Sequence, residues 1–328
     1  MNPTRRLSLR CVAAAAAAPF ALGATVNAQA QAWPTKTVTI VVPFTPGSAT
    51  DVMARLVAER LGPRIGQTVV VDNKAGAGGT IGTGLVAKSA PDGHTVVVVS
   101  TGHVVNPVLY SKLSYQLKDL VAVTPLGTLP SALVTRLGLG VKNVKELVDK
   151  VRAAPAGLNY ASAGIGSAAH VNAEKFVHGL KLKGTHVPYK GTPQMLADLA
   201  GNSVDYAFVP MVSSVAMIRE GKVTALAVSS DKRSTAFPNI PTSAEAGYPQ
   251  GQFNFWIGML APAQTPRAVI DRLNKEVSAV LDLPEVREKM EALGAVPFKM
   301  EAAAFDKFID EETVALGEVM RASGVKLD

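Results

Sequence analysis

From Thr37 onward, short runs of β-branched and apolar residues alternate with amphipathic stretches, and this alternation constrains the fold more than any other feature of the chain. The runs lie at 37–42, 68–71, 95–100, 131–135, 157–160, 185–187, 203–209 and 223–228, and the apolar ones read as buried parallel strands. Helical patterns at 51–61, 144–152, 167–177, 193–200 and 213–220 fall between them. Repeated strand-helix units of this kind make an α/β fold.

The last part of the chain reads differently. Segments 266–281, 284–293 and 302–322 are three helical patterns, two of them opening on proline, and no strand pattern interrupts the last two. A helical tail after a second α/β unit fits two lobes joined by a chain that leaves the first, builds the second and returns. The crossings are expected near 127–130 and 251–254. That places residues 33–128 with 254–328 in lobe one and 129–253 in lobe two. Single cores stop growing at roughly 250 to 300 residues, so a chain of 328 has the length for two.

Residues 1–30 have the three-part layout of a secretory signal peptide: a basic start with Arg5, Arg6 and Arg10, an apolar run at 11–24, and small residues ending at Ala30. The run is too short to cross a bilayer as a helix. Cleavage near Ala30 and a periplasmic product are expected, with export by the Sec route or, given Arg5-Arg6, the twin-arginine route. The sole cysteine, Cys11, lies in this leader, so disulfides and cysteine-ligated metals are excluded from the mature chain. Removing the three leader arginines takes the formal charge from +7 to +4, with the remaining basic residues dispersed. No nucleic-acid partner is indicated.

The chemistry concentrates at two strand-to-helix turns. In Val42-Pro43-Phe44-Thr45-Pro46-Gly47-Ser48-Ala49-Thr50-Asp51 a strand ends at proline, turns at glycine and opens a helix with Ser, Thr and Asp available to cap it. Unpaired amides at a helix start form an anion seat, although the same letters also describe an ordinary capped turn. Asn159 to His170 repeats the plan in the second lobe: strand, flexible loop through Ser162, Ala163, Gly164 and Gly166, then a helix begun by Ser167. Two seats, one per lobe, could grip one anion at the carboxyl edges of the sheets. Ala75 to Gly82 adds a glycine-rich turn at the same edge, and Ser100-Thr101-Gly102-His103 another.

Catalytic and cofactor patterns fail. Ile81 stands where a dinucleotide fingerprint counted from Gly76 needs its third glycine, and no phosphate-binding Gly-Lys-Ser/Thr ending occurs. No pair among His94, His103, His170, His178 and His186 has zinc-site spacing, so no metal and no cofactor is expected. Tyr160-Ala161-Ser162-Ala163-Gly164 has tyrosine where a nucleophile elbow needs its first glycine. A secreted serine hydrolase using Ser162 or Ser167 is the weaker alternative to a binding protein; no catalytic residue is assigned.

From Trp33-Pro34 to the C-terminus the chain resembles the extracytoplasmic solute receptors of tripartite tricarboxylate transporters, the Bug family. The marks are Val42-Pro43-Phe44 with Pro46-Gly47 and Thr50-Asp51, Ala75 to Gly79, Ala90-Pro91-Asp92-Gly93, Asn106-Pro107, Asn159-Tyr160 with Gly164 to Ser167 and His170, His186 to Gly191, Pro241-Thr242 with Glu245-Ala246-Gly247, and Ala261-Pro262-Ala263 with Thr265-Pro266. The resemblance implies a type II Venus-flytrap receptor, its helical tail packed on lobe one, that is not an enzyme. It would pinch a small carboxylate between its lobes and deliver it to a permease with one large and one small membrane subunit. Presenting the closed form to a sensor kinase is an alternative.

The contacts the resemblance implies are Phe44, Thr45, Gly47, Ser48, Ala49 and Asp51 from the first loop, and Ser162, Ala163, Gly164, Gly166 and Ser167 from the second. Ala77, Gly78, Thr101, His103 and His170 extend the set. Ser48 and Ala49 stand where family members commonly have glycines, and Val209-Pro210 where many carry an aspartate able to pair with an ammonium. With Phe208, Pro210 and Met211 nearby, the expected ligand is a dicarboxylate, its body apolar or aromatic.

Overall fold

The computed structural model describes residues 33–253 and 255–323; the expected leader at 1–30 lies outside them. The first half runs β1 (Val38–Val42), α1 (Ala49–Ile65), β2 (Val69–Asn73), α2 (Thr80–Ala87), β3 (Thr95–Ser100), α3 (Gly102–Leu109) and β4 (Leu120–Leu129). A second series follows: β5 (Ser131–Thr135), α4 (Val144–Ala153), β6 (Leu158–Ser162), α5 (Ala168–Gly179), β7 (Gly184–Pro188), α6 (Thr192–Ala200), β8 (Tyr206–Pro210), α7 (Met211–Arg219) and β9 (Thr224–Val228). The chain ends with β10 (Phe255–Pro262), α8 (Arg267–Leu281), α9 (Pro284–Ala292), β11 (Val296–Pro297) and α10 (Ala302–Ser323).

These strands form two sheets, in the orders β11-β4-β10-β3-β1-β2 and β7-β6-β8-β5-β9, each the centre of an α/β lobe. Val38, Ile40, Val42 and Val96 to Val99 are buried, as expected of continuous β-branched runs covered on both faces. Parallel pairing holds for β2-β1-β3 and for β7-β6-β8. The strand at 131–135 corrects the expectation of parallel strands, because β5 runs antiparallel to both β8 and β9. Its direction follows from its connection: only Pro130 separates it from β4, so the chain enters the second sheet in one continuous extended run.

Besides the two-residue β11, two long strands escaped the sequence pattern. In β4 the pairing register with β10 shifts around Pro125, where a proline breaks the regular apolar alternation. Returning from the second lobe, β10 inserts antiparallel between β3 and β4. It contains Gly258, and a Cβ there would come within 2.3 Å of the Phe305 ring. The close approach lets α10 lie against the sheet, with Phe305 edge-on to Trp256 at 5.4 Å. Asn274 of α8 ties the tail further, its amide donating to the carbonyls of Val123 and Met300 at 2.8 Å. The tail is helical and packs on the first sheet; the short β11 appears where no strand pattern was readable.

Candidate functional site

Both strand-to-helix turns are built to one plan. Gly47 and Gly166 each adopt φ of +80°, a left-handed value that glycine reaches without a Cβ penalty. The next residues, Ser48 and Ser167, are the caps of α1 and α5, with ψ of 160° and 157°, and their hydroxyls accept from the N–H of Asp51 and His170. Ser48 N donates to the Thr45 carbonyl and Ser167 N to that of Gly164. The amides of Ala49 and Thr50 on α1, and of Ala168 and Ala169 on α5, have no hydrogen-bond partner among the described residues. Each pair sits at the positive end of a helix dipole, where a carboxylate is favoured.

Both helix starts line one slot between the lobes. Its hydroxyls come from Ser48, Thr50, Ser100, Ser167 and Thr192, and its apolar walls include Phe44, Pro210 and Phe255. No charged side chain lines it among the described residues. The slot is narrow, with about 310 Å³ of unfilled space. Phe44 and Ala163 also face a wider vestibule, with about 1020 Å³ of unfilled space, which holds Gly76 to Gly79, Tyr110, Gly164 and, as its one cation among the described residues, Lys190.

The lobes are closed. Tyr110 hydroxyl donates to the Ile165 carbonyl at 3.0 Å and Ser213 hydroxyl to the Gly47 carbonyl at 3.3 Å. Glycines permit the tightest approaches: a Cβ on Gly78 would lie 1.9 Å from the Ile165 carbonyl oxygen, and one on Gly102 2.2 Å from that of Gly166. A Cβ on Gly191 would meet Thr45 Oγ1 at 1.9 Å. Backbone from one lobe therefore touches backbone or side chains of the other on several sides of the slot.

The structure sorts the expected contacts into walls and supports. Phe44, Ser48, Ala49, Ala163 and Ser167 line the slot, and Ala77, Gly78 and Gly164 line the vestibule. Thr45 and Gly47 sit at the contact between lobes, against Gly191 and Pro193. Asp51 is a support: 2 % exposed, it accepts from Gly47 N at 2.9 Å, Asn73 Nδ2 at 2.9 Å and Arg55 Nε at 3.0 Å. Both its oxygens are used inside lobe one, and Arg55 offsets its charge behind the seat. Thr101 supports as well, exchanging bonds with the backbone of Trp256. His103 stacks on Tyr115 away from both cavities, where burial lowers its pKa to about 4. His170 lies under the second loop and accepts from Gly166 N at 3.2 Å.

Burial pushes the Asp51 carboxyl up, but its bonds to Arg55, Gly47 and Asn73 together hold it below the ordinary value of 3.8. Its contribution to stability is therefore complete above that value and lost as pH falls through the lower folded value. Asp51→Ala leaves three donors without their acceptor and is expected to cost about 2 to 3 kcal/mol in urea unfolding at neutral pH.

Sequence reading passed over Thr50, Ser100, Thr192, Phe255 and Lys190 as contacts. Ser100 ends β3 and Thr192 follows β7 closely, so the rule that ligands gather at strand carboxyl ends could have found both. Phe255 begins an unread strand and gave no signal. Of Phe208, Pro210 and Met211, the three residues behind the expectation of an apolar or aromatic ligand body, only Pro210 lines the slot; Phe208 and Met211 are wholly buried, Phe208 against Phe176.

Ser162 looks at first like half of a catalytic dyad, since its Oγ is 2.7 Å from His186 Nε2. It is 0 % exposed and also accepts from Gly164 N at 3.1 Å, so no substrate can reach it. Ser167 caps α5. Ser167 lines the slot, but its hydroxyl is bonded to His170 N–H and to no histidine ring or carboxylate among the described residues, so the hydrolase alternative lacks an activated nucleophile.

Two α/β lobes closed on a slot of unpaired amides define a solute-binding protein. Residues 53–325 match the model of the tripartite tricarboxylate transporter family receptor, and the chain belongs to that family. Similar solved structures include the periplasmic binding protein BugD, at 35 % identity and a TM-score of 0.85 over 90 % of this chain and 99 % of that one. A Rhodopseudomonas palustris protein solved with adipate has 33 % identity and a TM-score of 0.86, covering 89 % and 98 %. MatC of the same organism, with bound malate, has 34 % identity and a TM-score of 0.84, covering 88 % and 99 %. The chain is thus a periplasmic, non-enzymatic receptor of the Bug type.

Proposed function

We propose that this receptor captures a small aliphatic dicarboxylate, one carboxylate at the facing helix starts and the other toward Lys190 in the vestibule, and delivers it to a two-subunit tripartite-type permease. The carrying observation is the set of unpaired amides at Ala49, Thr50, Ala168 and Ala169 in a slot without charged side chains. An anion there meets donors on both sides, and closure removes the water that would screen them. The narrow slot suits a flat carboxylate and a thin chain better than a ring. Adipate and malate, found with similar receptors, are both aliphatic dicarboxylates. Export would follow cleavage near Ala30, and the lobes would divide at 33–128 with 254–328 and 129–253.

Thermal-shift screening of the mature protein tests the reading. A ligand at about 100 times its Kd stabilises by about 2.7 kcal/mol, which raises the Tm of a chain this size by roughly 5 to 10 °C. At least one aliphatic dicarboxylate is expected to do this. No shift with any carboxylate at millimolar concentration would refute it. Lys190→Ala is expected to weaken a dicarboxylate about fivefold while leaving a monocarboxylate of equal length unchanged, as for the loss of one partly screened ion pair.

A further inference from the structure

The two seats differ in the residue that holds the glycine turn. Three residues beyond each capping serine, a side chain reaches back to the N–H of the preceding glycine: Asp51 Oδ2 to Gly47 at 2.9 Å, and His170 Nδ1 to Gly166 at 3.2 Å. A carboxylate accepts there whenever it is ionised. An imidazole accepts at Nδ1 only while that nitrogen carries no proton. On the other side of the ring, His170 Nε2 lies 3.3 Å from Glu174 Oε1, with both side chains buried, an ion-pair approach outside good hydrogen-bond alignment that leaves Glu174 the nearest acceptor for a proton on Nε2. The single proton of a neutral ring therefore belongs on Nε2.

We propose that His170 is a positioning residue of the second seat: as the Nε2–H tautomer set by Glu174, it holds Gly166 N–H on its Nδ1 lone pair and so aims the Ala168 and Ala169 amides. The inference rests on the carboxylate reading of the seats.

The groups around the ring are accounted for. From α5, His178 Nε2 is 3.0 Å from Glu174 Oε2. Tyr160 of β6 donates to Glu174 Oε1. His186 of β7 stacks on His170 at 4.2 Å, and Tyr206 of β8 lies behind Tyr160 at 5.9 Å. Across the cleft, Tyr110 donates to Ile165. On the same helix, Lys175 is turned to the Gln252 carbonyl. Burial would raise the Glu174 carboxyl, but its bonds to His170 and Tyr160 hold it below the ordinary value, so it stays an acceptor. Burial, with His170 beside it, lowers His186 to about 4. Since its ordinary value is 6.5, keeping this neighbour neutral supports the fold fully above 6.5, and that support is lost as pH falls toward 4.

Nitrogen-15 NMR of the mature chain tests the tautomer without any ligand. A coupling across the hydrogen bond between Gly166 N and His170 Nδ1 is expected at neutral pH, with the ring proton on Nε2. In binding titrations with succinate as the probe, His170→Asn, which puts an amide oxygen near the Nδ1 position, is expected to keep affinity within about twofold. His170→Gln and His170→Ala are expected to lose about tenfold, the worth of one hydrogen bond that orders the seat. A proton found on Nδ1, or an asparagine variant no better than glutamine, overturns the assignment. Failure of every variant and of the parent to bind any carboxylate counts against the carboxylate reading instead, while the NMR result still judges His170.

Discussion

Gly102→Ala is expected to weaken ligand capture about thirtyfold or more while leaving the ligand-free protein as stable as the parent. Gly102 opens α3 without a positive φ, so alanine suits its backbone. Of the atoms near its Cβ, the three closest all belong to Gly166 and Ser167 of the opposite lobe, the nearest being the Gly166 carbonyl oxygen at 2.2 Å. Relief requires the lobes to part by roughly 1 Å, since nonbonded carbon contacts lie near 3.5 Å. Hydrogen bonds of 2.7 to 3.2 Å from both lobes to one carboxylate cannot all survive that separation. Losing one or two charge-assisted bonds costs about 2 to 4 kcal/mol, or roughly 30-fold to 1,000-fold in Kd. Calorimetric titration and ligand-free melting check the two halves separately. Unchanged affinity would mean that ligand does not need the closed approach seen here.

Proline at Ala49 or Ala168 is expected to remove one seat while sparing its helix. Each residue is the first of its helix, where proline is favoured because the missing N–H has no intrahelical partner. The preceding serines already hold the extended conformation that proline requires of its neighbour. What disappears is the donor, and the ring takes the place of the ligand oxygen. Each single variant is expected to lose about 1.5 to 3 kcal/mol of binding, roughly 10-fold to 150-fold, and the double variant to show no measurable binding. Circular dichroism and melting temperature should match the parent. Proline variants that bind normally would show that these amides are not the ligand's partners.

The two seats were legible because a glycine, a capping serine and small residues must appear in that order to leave amides bare, and both copies keep the order. The lobe core was legible in its valine runs. The strands that cross between lobes were not, since Pro125 interrupts β4 and Gly258 interrupts β10 for packing reasons that only the tail's position explains. The family resemblance makes Asp51 a ligand contact, while the residues themselves suggest a helix cap; three-dimensional geometry shows its oxygens already committed to Gly47, Asn73 and Arg55. His170 carries a similar ambiguity, because its reach back to Gly166 depends on a glycine φ that sequence does not print. The closures at Gly78, Gly102 and Gly191 join residues far apart in the chain, and a glycine in a loop does not announce which backbone will approach it.

A crystal structure of the mature protein with a bound aliphatic dicarboxylate tests the shared grip most directly. One carboxylate is predicted to lie with its oxygens about 2.7 to 3.2 Å from the backbone nitrogens of Ala49 or Thr50 and of Ala168 or Ala169 together. A ligand held by one lobe alone, or seated outside the slot with those nitrogens bound to something else, would contradict it.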